Sequence, residues 1–384
     1  MSPLVVMIKP ASGMCNMKCD YCFYCDEMEK RRQASYGFMT EDTLKNIIRK
    51  TLTGAKESVY YIFQGGEPTL RGIAFFEKFI EYEKQYNKNH VPVFHSIQTN
   101  GYCIDEEWCA FLARNGFLAG LSVDGVRQTH DLHRHDQNGG DTFKAVLRAA
   151  RLFDRYGVEY NILTVVTEAV AQNVEAVYGF YKKMGWKYQQ YIACMEPAGA
   201  DGSGADGGSA NGGGGCALSA PLYGQFLVRL FRLWYSDWEK GEQVYIRQFE
   251  NYIQKLMGMV PEACAHAGVC SRQYAVEADG SVYPCDFYML DEYCLGNFNR
   301  DRLPVLEEKR KEILFLEESE KISETCLSCK YFSLCRSGCQ RNRRREEETD
   351  TYINRFCRGF RLFFDNCTED MVKISEELQK AAKR

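Results

Sequence analysis

The amino-acid sequence predicts an α/β protein built from a partial (β/α)6 barrel and a smaller cysteine-rich domain. Two observations support this expectation. Six short β-rich segments recur through the first half of the chain, and each is followed by a stretch with helical amphipathicity. Most of the eighteen cysteines fall into two groups, one near residue 20 and one beyond residue 260. A chain of 384 residues with 45% hydrophobic residues is long enough for more than one hydrophobic core.

The strand segments contain many β-branched and aromatic residues and alternate with helical patterns. The predicted strands are residues 4–9, 59–64, 93–98, 118–123, 159–166 and 188–194. The predicted helices between them are residues 41–52, 73–86, 106–115, 142–156 and 173–184. Such alternation predicts βα units around a parallel sheet. Because six units fall short of the eight in a closed TIM barrel, we expect a partial TIM-type barrel with an open side.

The composition changes along the chain suggest where the domains divide. We expect the barrel in residues 1–235 and the cysteine-rich domain in residues 236–384, ending in an amphipathic helix over residues 369–384. Residues 199–215 consist almost entirely of glycine, serine, alanine and aspartate. Such a segment buries no apolar surface and predicts a flexible loop.

Charge and hydropathy exclude several classes of protein. The net charge of −4 argues against a nucleic-acid binder held by bulk charge, and the basic run at residues 341–345 predicts a solvated face. We find no signal peptide and no apolar run of the ~20 residues that a membrane span needs, so we expect a cytoplasmic protein with no membrane partner. In that compartment clustered cysteines more often bind metal than form disulfides.

Three cysteines lie in one short loop directly after the first predicted strand. Cys15, Cys19 and Cys22 have C-x3-C-x2-C spacing, which allows three thiolates to bind three irons of a [4Fe–4S] cluster. Because full cysteine ligation takes four thiolates, one iron would stay open for chemistry. The alternatives are a zinc site with a distant fourth ligand and simple burial of the three cysteines.

The second group of cysteines is large enough for two more metal sites. Its eight members are Cys264, Cys270, Cys285, Cys326, Cys329, Cys335, Cys339 and Cys357. Two sets of four thiolates suffice for two fully ligated [4Fe–4S] clusters. A pair of zinc ribbons is the alternative, because C-x2-C is also a zinc spacing.

The three-cysteine loop, together with the stretch GGEP at residues 65–68, resembles the radical S-adenosylmethionine (SAM) superfamily. The resemblance implies that Cys15, Cys19 and Cys22 hold a cluster whose open iron chelates SAM. It further implies SAM contacts from Tyr21, Gly66, Glu67, Ser122, Asp124, Arg134 and Met195.

The C-terminal cysteines resemble the SPASM extension of that superfamily, which holds two auxiliary clusters. The resemblance assigns the first auxiliary cluster to Cys264, Cys270, Cys285 and Cys339. It assigns the second to Cys326, Cys329, Cys335 and Cys357. Three [4Fe–4S] clusters and SAM are therefore the expected cofactors.

A narrower resemblance comes from the stretches IKPAS at 8–12, FQGGEPTL at 63–70, QTNG at 98–101 and GSVYPCDFY at 280–288. They are similar to anaerobic sulfatase-maturating enzymes over nearly the whole chain, except residues 199–215. The resemblance implies that a 5′-deoxyadenosyl radical removes hydrogen from a cysteine or serine in a sulfatase C/S-x-P-x-R motif, which becomes Cα-formylglycine.

This resemblance also implies roles for individual residues and partners. Asp286 is the expected general base, and Tyr24, Gln64 and Gln98 are expected to hold the substrate peptide. The expected partners are an unfolded or nascent sulfatase polypeptide and a low-potential electron donor such as ferredoxin or flavodoxin.

Two other functions compete with sulfatase maturation. One is a radical SAM/SPASM maturase that forms thioether or other crosslinks in a ribosomal peptide. The other is a zinc-stabilised scaffold without catalysis. Metal content separates the last from the first two, which predict about twelve irons per chain and little zinc.

Overall fold

The computed structural model describes residues 3–195, 218–345 and 351–382. The predicted glycine-rich loop at residues 199–215 lies outside these described residues. The described strands are β1 (Leu4–Ile8), β2 (Met17–Cys19), β3 (Val59–Phe63), β4 (Val93–Thr99), β5 (Phe117–Ser122), β6 (Arg134–Asp136), β7 (Tyr160–Val166), β8 (Tyr188–Ala193), β9 (Tyr245–Ile246), β10 (Gln273–Val276), β11 (Ser281–Tyr283), β12 (Gly296–Asn297), β13 (Arg343–Arg345) and β14 (Tyr352–Asn354).

The described helices alternate with the strands in the first half of the chain and predominate in the second. They are α1 (Phe23–Lys30), α2 (Glu41–Gly54), α3 (Ile73–Tyr86), α4 (Glu106–Arg114), α5 (Arg127–His130), α6 (Phe143–Tyr156), α7 (Glu168–Gln172), α8 (Val174–Lys183), α9 (Ala220–Glu239), α10 (Arg247–Leu256), α11 (Cys264–Ala267), α12 (Leu303–Glu312), α13 (Phe315–Glu320), α14 (Glu324–Leu327), α15 (Phe332–Cys335) and α16 (Cys357–Ala382). No described helix is both long and apolar enough to cross a lipid bilayer.

The chain forms two compact units, each assembled from several segments. Of the described residues, the first unit contains those within 1–123, 134–161 and 272–315, and the second contains those within 124–133, 162–271 and 316–384. The expected domain division at residue 235 stays a prediction.

The sheet of the first unit has the strand order β12-β11-β10-β1-β3-β4-β5. The strands from β10 to β5 are parallel, and β11 and β12 add to the edge in antiparallel fashion. Strand β10 comes from the C-terminal part of the chain and pairs beside β1, which the sequence pattern did not predict. The short pair β2–β6 places Cys19 opposite Arg134.

Aromatic side chains pack the helices of the first unit against its sheet. Phe63 of β3 contacts Phe76 and Phe79 of α3, with ring centroids 4.8 and 4.9 Å apart, and all three are fully buried. Aromatic rings bury large apolar areas and prefer tilted or edge contacts such as these. This packing fixes α3 and with it the carboxyl end of β3, where the GGEP stretch begins.

The second unit combines the parallel strands β7-β8-β9 with a helical layer formed by α9, α10 and α16. The crossing of α9 and α16 is close because glycines meet there. A Cβ atom added to Gly359 would lie 2.2 Å from the carbonyl oxygen of Ala220. The predicted C-terminal helix is longer than expected, since it begins at the predicted cluster ligand Cys357 rather than at residue 369.

Candidate functional site

The three-cysteine loop is folded tightly at the carboxyl end of β1. The N–H of Cys22 donates to the carbonyl oxygen of Cys19 at 3.2 Å, which turns the chain into α1. Burial and the negative charge of Glu67, with smaller contributions from Cys19 and Cys22, together raise the pKa of Cys15 to about 12. The three sulfurs therefore lie close enough to repel one another as thiolates. A cationic iron cluster would relieve this repulsion, so the donor set fits such a group.

The GGEP stretch packs directly against this loop. The N–H groups of Gly66 and Glu67 donate to the carbonyl oxygens of Ser12 and Met14 at 2.9 and 2.8 Å. Only glycine fits at position 66, because a Cβ atom there would lie 1.9 Å from the Met14 oxygen. The two motifs that carry the sequence resemblance are therefore in backbone contact.

The carboxylate of Glu67 is almost completely buried and accepts four hydrogen bonds. The donors are the N–H and hydroxyl of Thr69, the hydroxyl of Thr99 and the N–H of Asn100. Burial raises the pKa of Glu67, and these hydrogen bonds oppose the shift. The carboxylate thus holds the motif against the end of β4, and its expected contact with SAM stays a prediction.

Asn100 and Asn16 connect the end of β4 to the cysteine loop, a link that the sequence did not suggest. The amide of Asn100 donates to Asn16 Oδ1 at 2.8 Å and lies 3.5 Å from Cys15 Sγ. The amide of Asn16 lies 2.9 Å from the sulfur of Cys103. The only sequence feature that pointed to this link was the asparagine of the QTNG stretch, which is Asn100.

The other predicted SAM contacts fall in both units. In the first unit, Gln98 donates to Ser122 Oγ at 3.0 Å, and the Arg134 guanidinium lies 5.7 Å from the ring centroid of Tyr21. In the second unit, Asp124 is buried and accepts from the Val165 N–H at 2.9 Å. Met195 lies two residues after the end of β8.

Asp286 is buried and has three side-chain partners. Its Oδ1 lies 2.9 Å from Lys9 Nζ, and its Oδ2 accepts from the Tyr24 hydroxyl at 2.8 Å and from the Gln64 amide at 2.6 Å. Tyr24 and Gln64 were expected to bind the substrate peptide, and here they orient the expected base. Peptide contact by these two residues and by Gln98 stays a prediction.

Lys9 and Glu27, which were not predicted as site residues from the sequence, complete this buried group. Lys9 Nζ lies 4.0 Å from Glu27 Oε2 and 4.0 Å from the Tyr24 ring centroid. Burial raises the pKa of Glu27 to about 7, and the charge of Lys9 opposes this shift. A lone lysine that ends an apolar strand was the only sequence signal.

Four predicted ligands of the second auxiliary cluster surround one cavity in the second unit. Cys326, Cys329, Cys335 and Cys357 line it. The volume of this cavity is about 390 Å³ when the part that is open to solvent is included. Within the described ranges, no three histidine, cysteine or acidic side chains converge closely enough for a lone metal ion. Four soft thiol donors around a cavity fit a [4Fe–4S] cluster.

Three predicted ligands of the first auxiliary cluster line a second cavity in the same unit. Cys264, Cys270 and Cys339 line it together with Arg343, and its volume is about 190 Å³ on the same measure. The fourth predicted ligand, Cys285, belongs to the first unit, and its assignment stays a prediction. The expectation of a solvated face at residues 341–345 is wrong for Arg343, whose guanidinium donates to backbone carbonyl groups.

Comparison with known proteins gives matches over the whole chain. Residues 10–180 match the radical SAM superfamily, and residues 264–330 match an iron–sulfur cluster-binding domain. A cysteine-type anaerobic sulfatase-maturating enzyme of Clostridium perfringens is 39% identical over 379 residues, which cover 99% of this chain and 100% of that relative.

A serine-type anaerobic sulfatase-maturating enzyme of Bacteroides thetaiotaomicron is 28% identical over 98% of this chain and 92% of that relative. Among solved structures, native anSMEcpe with bound AdoMet and Cp18Cys peptide aligns with a TM-score of 0.90 at 39% identity. That alignment covers 98% of this chain and 100% of the other.

Proposed function

Because this chain belongs to the family of anaerobic sulfatase-maturating enzymes within the radical SAM superfamily, we propose that it converts a cysteine of a sulfatase to Cα-formylglycine. We propose cysteine as the target residue because sequence identity is higher to the cysteine-type relative than to the serine-type relative. Identity is 39% to the cysteine-type enzyme and 28% to the serine-type enzyme, each over nearly the full chain. The full-length matches do not favour a thioether-forming peptide maturase.

The cofactors of this family are SAM and iron–sulfur clusters. When bound, they supply the removal of a hydrogen atom from the target Cβ, which no side-chain base can perform. In our proposal Cys15, Cys19 and Cys22 hold the cluster that binds SAM. The auxiliary clusters are held by the two C-terminal sets, Cys264, Cys270, Cys285 and Cys339, and Cys326, Cys329, Cys335 and Cys357.

The proposed SAM contacts rely on the positions of polar groups in each unit. The β2–β6 pair places Arg134 opposite Cys19 of the cysteine loop, where its guanidinium could bind the carboxylate of SAM. Ser122, Glu67 and Gly66 lie at the carboxyl ends of β5 and β3, where barrel active sites form. Tyr21, Asp124 and Met195 complete the proposed set.

We assign Asp286 as the group that accepts the proton of the target thiol. Its partners Lys9, Tyr24 and Gln64 hold both carboxylate oxygens in a fixed orientation. A base that is already oriented needs no rearrangement before it accepts a proton, which is why such groups contribute to rate. Tyr24 and Gln64 act on the substrate through Asp286 in this proposal.

The substrate is a protein or peptide, in keeping with the family. We propose an unfolded or nascent sulfatase that presents a C-x-P-x-R segment. The reaction also needs one electron to start each cycle, and we propose a small low-potential carrier such as ferredoxin or flavodoxin as the donor.

The test uses anaerobically reconstituted protein with SAM, a chemical reductant and two peptides that differ only in C-x-P-x-R or S-x-P-x-R. Mass spectrometry should show exchange of the thiol for an aldehyde in the cysteine peptide, faster than oxidation of the serine peptide. Release of 5′-deoxyadenosine without modification of either peptide would contradict the proposed substrate. Equal rates with both peptides would contradict the proposed specificity for cysteine but not the proposed reaction.

A further inference from the structure

Arg343 connects three separate loops of the second unit. It opens β13, is half-buried, and donates hydrogen bonds through its guanidinium. The acceptors are the backbone carbonyl oxygens of Gly268, Ser319, Arg336, Ser337 and Gly338. Arginine is suited to this role because its five N–H donors are fixed in one plane. Gly268 lies between Cys264 and Cys270, so Arg343 contacts the loop that carries both predicted ligands.

Three of these acceptors belong to a strained turn. Residues 336, 337 and 338 all have positive φ, at 51°, 61° and 60°. Arg336 and Ser337 are not glycine, and the left-handed region is unfavourable for them. Ser337 is fully buried, and its carbonyl oxygen also accepts from Asn354 Nδ2 at 3.0 Å. Side-chain donors on the carbonyl groups therefore stabilise a conformation that the sequence alone disfavours.

The strained turn separates the two predicted cluster sites. Cys335 immediately before it lines the larger cavity, and Cys339 immediately after it lines the smaller one. The conformation of three residues thus decides where each of these two sulfurs points. A group that holds the turn controls the geometry of both cavities.

Arg343 also places a positive charge on the wall of the smaller cavity, beside Cys264, Cys270 and Cys339. Its guanidinium donates to the carbonyl oxygen of Gly268, in the loop between Cys264 and Cys270, and to that of Gly338, next to Cys339. A cation held in this place stabilises negative charge on the sulfurs of the cavity.

We propose that Arg343 is a positioning residue of the cysteine-rich unit, which fixes the turn between Cys335 and Cys339 and raises the reduction potential of the cluster in the smaller cavity. The proposal rests on the proposed function in that these cysteines bind iron–sulfur clusters. A fixed cation stabilises the extra negative charge of a reduced cluster, and neighbouring charge and hydrogen bonds are known to set such potentials. No redox partner beyond the cluster itself is required.

The experiment compares Arg343→Gln, Arg343→Lys and Arg345→Gln with the wild-type holoprotein. Arg345 lies on the same strand but is exposed and outside the cavity wall, so its variant is the matched control for loss of one charge. Iron per chain, the midpoint potential of each cluster from EPR-monitored titration, and the unfolding temperature are measured for each protein.

Arg343→Gln should shift one auxiliary potential to a more negative value and lower the unfolding temperature. Arg343→Lys should recover most of the potential, because it keeps the charge. It should not recover the unfolding temperature, because an ammonium group has only three donors for five carbonyl groups. Arg345→Gln should match the wild type in both.

Unchanged potentials in a fully loaded Arg343→Gln protein would overturn the proposal. If the Arg343→Gln protein loses iron, the Arg343→Lys protein provides the test. A wild-type cluster potential together with a reduced unfolding temperature in Arg343→Lys supports the proposal. A wild-type potential together with a wild-type unfolding temperature overturns the positioning role. The proposed function fails separately, because a wild-type protein that binds no iron would contradict it before any variant is compared.

Discussion

Lys9 Nζ lies 2.9 Å from Asp286 Oδ1, and both side chains are almost completely buried. A buried ion pair is tolerated when its remaining hydrogen-bonding groups are also satisfied. Tyr24 and Gln64 donate to the other oxygen of Asp286, and Lys9 lies over the face of the Tyr24 ring. The residue that follows the first strand thus supplies the counter-ion for a carboxylate from the C-terminal part of the chain.

Replacing Asp286 with asparagine tests its role as proton acceptor. Asp286→Asn should lower formylglycine formation by about 10²-fold or more, the usual contribution of a positioned base. Release of 5′-deoxyadenosine from SAM should persist, because the variant leaves the three-cysteine loop intact. Both products are measured in the same reaction. Asp291→Asn, in the next turn of the chain, serves as control, and an unchanged aldehyde yield in Asp286→Asn would remove Asp286 from the mechanism.

Removal of Lys9 should destabilise the protein strongly. Lys9→Met leaves the Asp286 carboxylate buried without its cation, and breaking a buried pair in this way costs about 3–5 kcal/mol. The free energy of unfolding from denaturant titration measures the loss. Lys78→Met removes one partner of the exposed pair Lys78–Glu81 and should leave stability unchanged. A similar small effect for both variants would show that the buried pair contributes nothing.

Glu27 should make stability depend on pH. Burial raises its native pKa from 4.5 to about 7, so between these values the native protein holds a proton that the unfolded chain has lost. The contribution to stability is complete below pH 4.5 and is lost as pH rises to about 7, by up to about 3 kcal/mol.

Glu27→Gln removes this titration, and its free energy of unfolding should fall less steeply than that of the wild type between pH 5 and pH 7. The exposed Glu29 lies on the same helix, and Glu29→Gln is the matched control, with the wild-type slope. Parallel curves for the wild type and Glu27→Gln would disprove the prediction.

The larger cavity should hold one auxiliary cluster. Cys329→Ala removes one of its four thiols and should lower the iron content from about twelve to about eight per chain, while SAM cleavage to 5′-deoxyadenosine persists. Iron analysis and EPR measure the loss. Cys367→Ala replaces a fully buried cysteine of α16 that lines neither cavity and should retain all the iron. Equal iron in the two variants would refute the assignment.

Much of the fold could be predicted because it follows from local periodicity. All six strands predicted for the first half are present, within one or two residues of the expected bounds, and α3 occupies the predicted residues 73–86. The pairing of β10 with β1 was not predictable, because a short apolar strand carries no information about which distant strand it joins. The start of α16 at Cys357 was likewise not predicted.

Cysteine spacing and the GGEP stretch carried the resemblance to the family, since thiols a few residues apart along one loop must lie close in space. The division of the C-terminal cysteines into two ligand sets came from that resemblance and not from their spacing. Only the tertiary structure revealed the groups that act at a distance. Lys9 and Glu27 reach Asp286 through folding of the first unit, and Arg343 reaches carbonyl groups on three loops. Such partners carry no fixed sequence spacing, because burial and direction of side chains are set by the packing of whole elements. The sequence therefore indicated which residues carry the chemistry, and the folded chain decided which charged side chains hold those residues in place.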